Sequence, residues 1–156
     1  MQSKKIYLAV PITGDSVGDM GALSSVLFAR EELMKQGYLV KVLCFAGHDE
    51  LIADVAKYKP GFAVVVEGHG GKVDLEVYHQ VLPDWDRYKQ SYMAALGVIH
   101  HSTRFRKLHN RYVQAGYTKQ WMQNINAPAV YVRLEIDALN MDEMYAQGRA
   151  ISMGIM

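Results

Sequence analysis

The stretch FAVVVEGHGG, residues 62–71, decides how the fold of this chain is interpreted. Its apolar run, 62–66, leads into Glu67, a glycine, His69 and two more glycines. A strand that is apolar at every position is typical of a parallel sheet covered by helices on both faces. Ligands of such sheets bind outside the carboxyl ends of the strands. The stretch therefore predicts a buried strand that delivers Glu67 and His69 to a ligand-binding edge.

The segments on either side alternate between strand and helix patterns. Apolar runs predict strands at 6–10, 38–45 and 129–136, and an alternating run at 73–77 predicts a strand with one wet face near the sheet edge. Helical spacing predicts helices over 23–34, which Asp19 would cap, over 51–56, over 85–96 up to Gly97, and after Asn140. Residues 98–127 indicate little beyond a helix near 118–125.

This order predicts a single α/β domain over residues 1–156. Strands that alternate with helices favour a three-layer αβα sandwich with a mostly parallel sheet of about five strands. The loops after Val10, Phe45, Val66 and Ile136 are then where a ligand site is expected.

Bulk composition excludes several classes of protein. The 156 residues carry a formal net charge of +1, which gives no strong signal for nucleic acid or an anionic membrane as partner. Cys44 is the single cysteine, so no intramolecular disulfide can form and a reducing compartment is expected. The sequence has no apolar run of the roughly 18 residues that a membrane helix needs. We therefore expect a cytoplasmic protein.

The most asymmetric segment is residues 100–111, HHSTRFRKLHNR, which contains basic residues and no acid. Clustered arginines beside hydroxyl groups are suited to phosphate or carboxylate recognition. The alternative is a solvated basic loop whose partners lie elsewhere in the fold. On the first interpretation an anionic small molecule is the expected partner, and its candidate ligands are Arg104, Arg106, Lys107 and Arg111.

Several stretches together resemble zinc-dependent N-acetylmuramoyl-L-alanine amidases of the α/β type. They are KKIYLAVPITGDSVG, MGALSSVLFAREELMKQGYLVKVL, GHDELIADVAKYKPGFAVVVEGH, KVDLEVYH and NAPAVYVRLEI, in that order along nearly the whole chain. The resemblance implies an amidase-like fold. The opening KKIYLAVPITGD also resembles nucleoside 2-deoxyribosyltransferase-like proteins, in which that strand and loop hold a nucleoside. Thr13 lies in this loop and is a candidate ligand-binding residue.

The amidase resemblance implies a zinc site made by two histidines and a glutamate, together with a catalytic glutamate. His69 occupies the place of the second histidine, but Ile12 falls at the first histidine and Ser24 near the zinc glutamate. Arg133 falls at the catalytic glutamate, and a guanidinium cannot act as a base at neutral pH. We therefore expect a degenerate site with no catalytic residue, no cofactor and no metal, in which His69 and Arg133 contact a ligand.

The resulting hypothesis is a non-catalytic protein with an amidase fold that binds a nucleotide-like or phosphate-like anion. Such a protein would suit a phage or mobile element that sequesters a nucleotide signal. Three alternatives stay open. The first is a zinc-dependent amidase whose metal ligands are rearranged to His69, His79 and Glu76. The second is a nucleoside 2-deoxyribosyltransferase-like enzyme, and the third is a homo-oligomeric interaction protein.

Overall fold

The computed structural model describes residues 4–70, 75–105, 111–136 and 140–156, without the side chains of residues 104, 105 and 111. The elements follow in the order β1 (Lys5–Pro11), α1 (Ser16–Lys35), β2 (Leu39–Phe45), α2 (His48–Tyr58), β3 (Phe62–His69), β4 (Leu75–His79), α3 (Trp85–Phe105), β5 (Arg111–Ala115), α4 (Gln120–Gln123), β6 (Ala129–Glu135) and α5 (Met141–Ile155). None of the described helices is long and apolar enough to cross a membrane.

The strands form one sheet in the order β2-β1-β3-β6-β4-β5. All neighbouring pairs are parallel except β4 with β6, which is antiparallel. This confirms the predicted α/β fold with a mostly parallel sheet. The described sheet has six strands rather than about five, because β5 lies in the segment for which the sequence predicted no strand.

Helices cover both faces of the sheet, and each face has its own apolar core. The long helices α1, α3 and α5 pack on one face, over valines and leucines such as Val64, Val132 and Leu134. The shorter helices α2 and α4 pack on the other face, over Val65 and Tyr131 among others. We call these the long-helix face and the short-helix face. Because successive side chains of a strand point to opposite faces, residue parity assigns each strand residue to one of them.

Three sequence expectations are corrected by the structure. The described part of β4 is buried throughout and lies between β6 and β5, so it is neither at the edge nor wet on one face. Helix α3 continues through Gly97 instead of ending there. A Cβ at Gly97 would lie 2.7 Å from the backbone oxygen of Gly154, so the glycine permits close packing of α3 on α5. Asp15, not Asp19, caps α1 by accepting from the Gly18 N–H.

Candidate functional site

Polar side chains converge where β3, β6 and β4 meet on the short-helix face. Arg133 of β6 is in register with Glu67 of β3 on one side and with Glu76 of β4 on the other. Tyr131 and Tyr78 form the next layer on the same face, and their rings stack with centroids 5.3 Å apart. The apolar strands therefore end in a cluster of two carboxylates, two phenols and one guanidinium.

Arg133 lies between the two glutamates without being tightly bound to either. Its Nε is 3.8 Å from Glu67 Oε2, and its Nη1 is 3.9 Å from Glu76 Oε2. Both distances exceed ordinary hydrogen-bond length, and the Arg133 side chain is 37% exposed. A guanidinium carries five N–H donors. Arg133 thus keeps N–H donors for a ligand, while the two carboxylates position its guanidinium.

The two tyrosines orient these carboxylates. The Tyr131 hydroxyl donates to Glu67 Oε2 at 2.8 Å, and the Tyr78 hydroxyl donates to Glu76 Oε2 at 2.5 Å. Burial, together with the hydrogen bond to Glu76, raises the pKa of Tyr78 to about 12. Burial and the nearby Glu67 charge raise the pKa of Tyr131 well above its usual value. Both phenols therefore stay protonated donors at neutral pH.

An aromatic and cationic wall stands beside this cluster. The rings of His48, at the start of α2, and Trp121, in α4, stack at 4.3 Å with an interplanar angle of 4°. Trp121 also meets Tyr131 edge-on, and Lys119 Nζ lies 5.5 Å from the centre of the Tyr78 ring. Burial lowers the pKa of His48, with a further lowering from Lys119 that Glu67 and Asp49 oppose.

The β1–α1 loop and the end of β3 meet at the same end of the sheet. The Thr13 hydroxyl donates to Asp19 at 2.6 Å, so this predicted ligand-binding residue is hydrogen-bonded to the first turn of α1. Asp15 accepts from the backbone N–H of Gly70 at 3.4 Å, which ties the loop to the residue after His69. His69 Nδ1 lies 3.0 Å from the carbonyl oxygen of Gly70.

The basic segment reaches the same end of the sheet, as far as the structure describes it. The backbone of Arg104 lies in the last turn of α3. Arg111 begins β5, in register with Leu75, which in turn pairs with Leu134 next to Arg133. Arg106 and Lys107, also predicted to bind the ligand, lie outside the described residues.

The alternative metal set of His69, His79 and Glu76 is not brought together. His79 is in register with Val130, at the opposite end of β6 from Glu135, the partner of His69. It is buried on the long-helix face against Tyr88 and Tyr92, whereas Glu76 points to the other face. Across residues 4–70, 75–105, 111–136 and 140–156, no three His, Cys, Asp or Glu residues are grouped to hold a metal ion.

The residues at the positions implied for zinc do not fit that ion. Ile12 presents an aliphatic side chain that is 58% exposed. Arg133 places a permanent positive charge between the two carboxylates that could otherwise donate electron pairs. Zinc sites use thiolate, imidazole or carboxylate ligands, and three of them with a water in catalytic sites. His69 alone does not supply such a set.

Comparison with solved structures identifies the fold. The chain superposes on the CwlD amidase from Clostridioides difficile, solved in complex with the GerS lipoprotein, with a TM-score of 0.73 and 12% identity, covering 98% of this chain and 96% of that one. For the N-acetylmuramoyl-L-alanine amidase AmiC2 of Nostoc punctiforme the TM-score is 0.75 at 14% identity, with 99% and 97% covered. Cwp6 from Clostridium difficile gives 0.80 at 16%, with 98% of this chain on 29% of that one.

These similarities confirm the amidase-like fold that the sequence predicted. No protein-family model and no curated protein matches the chain. The sequence predicted Arg133 and His69 as ligand-binding residues, a role that stays a prediction, and it gave no indication of the wall formed by His48, Lys119 and Trp121. The polar alternation Tyr131, Arg133, Glu135 along β6 was a usable signal for one face. The wall residues gave none, because they belong to segments that meet only after folding.

Proposed function

We propose that this protein binds an anionic small ligand with a planar ring, such as a nucleotide, without chemically transforming it. The site is the end of the sheet on the short-helix face. The observation that carries the proposal is the junction of two cations, Arg133 and Lys119, with the stacked rings of His48 and Trp121. The cations can bind the phosphate of a nucleotide, and the aromatic rings can stack on its nucleobase. In this structure the cations and the rings are adjacent.

The cations support an anionic ligand even though carboxylates are present. Arg133 has two acidic neighbours, but its long contacts leave N–H donors that a phosphate can accept in bidentate fashion. Glu67 and Glu76 each already accept from a tyrosine hydroxyl, which disperses part of their charge. The backbones of Arg104 and Arg111 lie at the same end of the sheet, but α3 packs on the long-helix face, so the proposal rests on Arg133 and Lys119.

The rings support a planar group on the ligand. Aromatic side chains bind bases by stacking, at about 1–3 kcal/mol per base. Trp121 is half-buried, His48 is exposed, and the lowered pKa of His48 leaves its ring neutral at pH 7. A neutral imidazole stacked on an indole extends the apolar wall without repelling Lys119.

Within the part of the chain that the structure describes, the residues at the implied zinc positions do not fit that ion, and this supports binding rather than hydrolysis. In place of a general base, this site has an arginine that cannot take up a proton at neutral pH. A role in sequestering a nucleotide for a phage or mobile element agrees with this proposal but rests on the sequence hypothesis alone.

Tryptophan fluorescence can test the proposal. The chain has two tryptophans, so Trp85→Phe leaves Trp121 as the single reporter. We expect nucleoside phosphates to change its emission, with an affinity that falls as salt rises, and the matching uncharged nucleosides to bind at least about tenfold more weakly. Arg133→Met in this background should weaken nucleoside-phosphate binding about 10-fold or more, because a charge-assisted hydrogen bond is lost.

Lys57→Met is the matched control, because it removes the same charge from the exposed last turn of α2. It should leave the affinity unchanged. Equal weakening by both variants would reduce the effect to overall charge and contradict a site at Arg133. Stoichiometric zinc in the purified protein, lost in His69→Ala together with hydrolysis of a muramoyl peptide, would instead establish the amidase alternative.

A further inference from the structure

Strand β2 forms one edge of the described sheet, and its outer backbone groups are unpaired there. The Leu39 N–H donates to the Lys4 carbonyl, and the Phe45 carbonyl accepts from the Ile12 N–H, so odd-numbered residues face β1. Backbone groups alternate in direction along a strand. The N–H and C=O groups of Val40, Val42 and Cys44 therefore point away from the described sheet.

None of the described residues gives this edge the usual protection against pairing with another chain. Natural edge strands are blunted by charged side chains, proline or bulges. The strand reads LVKVLCF and pairs with β1 in continuous register. Its one charged residue, Lys41, is turned toward α2, where its ammonium lies 2.8 Å from Asp54 Oδ2 and 6.0 Å from the centre of the Tyr7 ring. The Lys41 side chain therefore does not block pairing of another strand with this edge.

The flank of α1 continues the apolar surface of this edge. Phe28 and Ser25 contact α5 through Tyr145 and Met144, and Val26 faces the sheet. Helical geometry then turns the remaining flank toward the side of β2. On this flank Leu27 is 44% exposed and Met34 is 51% exposed. A groove of about 580 Å³ runs along it, lined by Leu27, Arg30, Glu31, Met34 and Lys35.

We propose that a second copy of this chain covers the surface by pairing β2 with β2 in antiparallel fashion. The two-fold axis passes beside Val42, so that Val42 faces its own counterpart and Val40 faces Cys44 of the second copy. Each of these pairs exchanges both backbone hydrogen bonds, about six in all. The two sheets become one continuous sheet, and the exposed Leu27 and Met34 of each copy lie beside the junction.

Charge complementarity favours a second copy as the occupant. In this register Lys41 faces Leu43 of the second copy, so the two lysines are not opposed, and like charges directly opposite each other would be destabilising. The groove on α1 carries both signs, with Arg30 and Lys35 beside Glu31. Glu31 lies 3.8 Å from Lys35 of its own helix, so Arg30 is the base that an antiparallel pair of such flanks can bring to Glu31 of the other copy.

The mass of the full chain in solution is the first test. Light scattering and sedimentation across micromolar to near-millimolar concentrations should give twice the monomer mass of 17.6 kDa at the upper end. Cys44→Pro removes one outward N–H without removing a bond to β1, and a proline is tolerated on such an edge. This variant should be folded, by circular dichroism, and monomeric.

Two further variants check the register and the choice of edge. Ala115→Pro changes an outward N–H on β5, at the other edge of the described sheet, since Gly116 donates to the His79 carbonyl and alternate residues face outward. It should remain dimeric.

Val42→Cys combined with Cys44→Ser should form an intermolecular disulfide on mild oxidation, because facing residues lie about 5.5 Å apart between Cα atoms. The native Cys44, which faces Val40, should not crosslink.

Each of three outcomes would overturn the proposal. The first is a wild-type protein that stays monomeric at every concentration. The second is a dimer that survives Cys44→Pro or is lost in Ala115→Pro. The third is a dimer in which the cysteine at position 42 fails to crosslink. If Cys44→Pro does not fold, Leu27→Glu, which places like charges on the exposed α1 flank of both copies, should give the monomer instead, and a persistent dimer would contradict the interface.

Discussion

The two faces of the sheet are formed by the same strands but differ in the polarity of their side chains at one end. On the long-helix face, the inward side chains of β3 and β6 stay apolar to the end of the sheet that carries Arg133, as in Val64, Val66 and Leu134. On the short-helix face, Val65 is followed by Glu67, and Tyr131 is followed by Arg133. The change occurs within two residues of a single strand. One face is a packing surface, and the other becomes a polar site at its end.

Helix length explains the difference. The long-helix face is covered by α1, α3 and α5, of 20, 21 and 15 residues. The short-helix face is covered by α2 and α4, of 11 and 4 residues. A helix rises about 1.5 Å per residue, so the second pair cannot span the same length of sheet. Polar residues such as Arg133 therefore lie where the short helices leave the strand ends accessible.

The largest effect is expected where the long-helix face packs most closely. A Cβ at Gly68 of β3 would lie 2.2 Å from the backbone oxygen of Gly18 in α1, so α1 rests directly on the strand. Gly68→Ala should lower the free energy of unfolding by about 3 kcal/mol or more, since the backbone must move to relieve the overlap. Urea denaturation measures this change.

Gly47→Ala is the control for that substitution. A Cβ at Gly47 meets nothing within 4 Å, and its φ of −128° is accessible to alanine. Because Gly47 is the N-cap of α2, where alanine is less favourable than glycine, the free energy of unfolding should fall by no more than about 1 kcal/mol. A cost below about 1 kcal/mol for Gly68→Ala would mean that α1 does not approach β3 as closely as the structure places it.

The sequence predicted the central strands and α1 well, because burial there follows from local pattern. Apolar runs identified β1, β2 and β3, and helical spacing identified α1. The failures have a common physical origin in contacts between distant segments. Gly97 was interpreted as a helix end, but it is a packing position against Gly154. The alternation before His79 indicated an edge, but β5 covers that side of β4.

The two predicted ligand-binding residues on described strands came from different signals. His69 was predicted because it follows an apolar strand, and Arg133 because it falls at the catalytic-glutamate position of the amidase resemblance. The partners of Arg133 could not be inferred, because Glu67 and Glu76 meet it only through the order of strands in the sheet. Trp121 lies on a four-residue helix, too short for a periodic signal.

A smaller effect is expected from a hydroxyl on the short-helix face. Tyr131→Phe removes the hydrogen bond to Glu67 while leaving the ring stacked on Tyr78. Tyr131 is 4% exposed, so the loss should cost about 1.5–3 kcal/mol of unfolding free energy, the range for a hydrogen bond to a charged group. Tyr117→Phe is the control, because Tyr117 is 71% exposed and should change little. Equal urea midpoints for both variants would contradict a structural role for this bond.

The smallest effect on the free energy of unfolding is expected at Asp54 of α2, and it depends on pH. Hydrogen bonds from Lys41 and Tyr7 hold the pKa of Asp54 below its usual value. A lowered carboxyl pKa stabilises the folded state above the ordinary value of about 3.9, and this stabilisation is lost as pH falls through the folded-state pKa. Asp54→Asn should therefore cost about 1 kcal/mol at pH 7. In acid the difference from the wild type should shrink, because protonation removes the same charge that the substitution removes.

Urea denaturation at neutral pH and at successively lower pH measures this difference in unfolding free energy. Glu31→Gln, on the exposed surface of α1, is a control with little effect at neutral pH. A difference that grows as pH falls would show that Asp54 is not held in its charged form by these two donors.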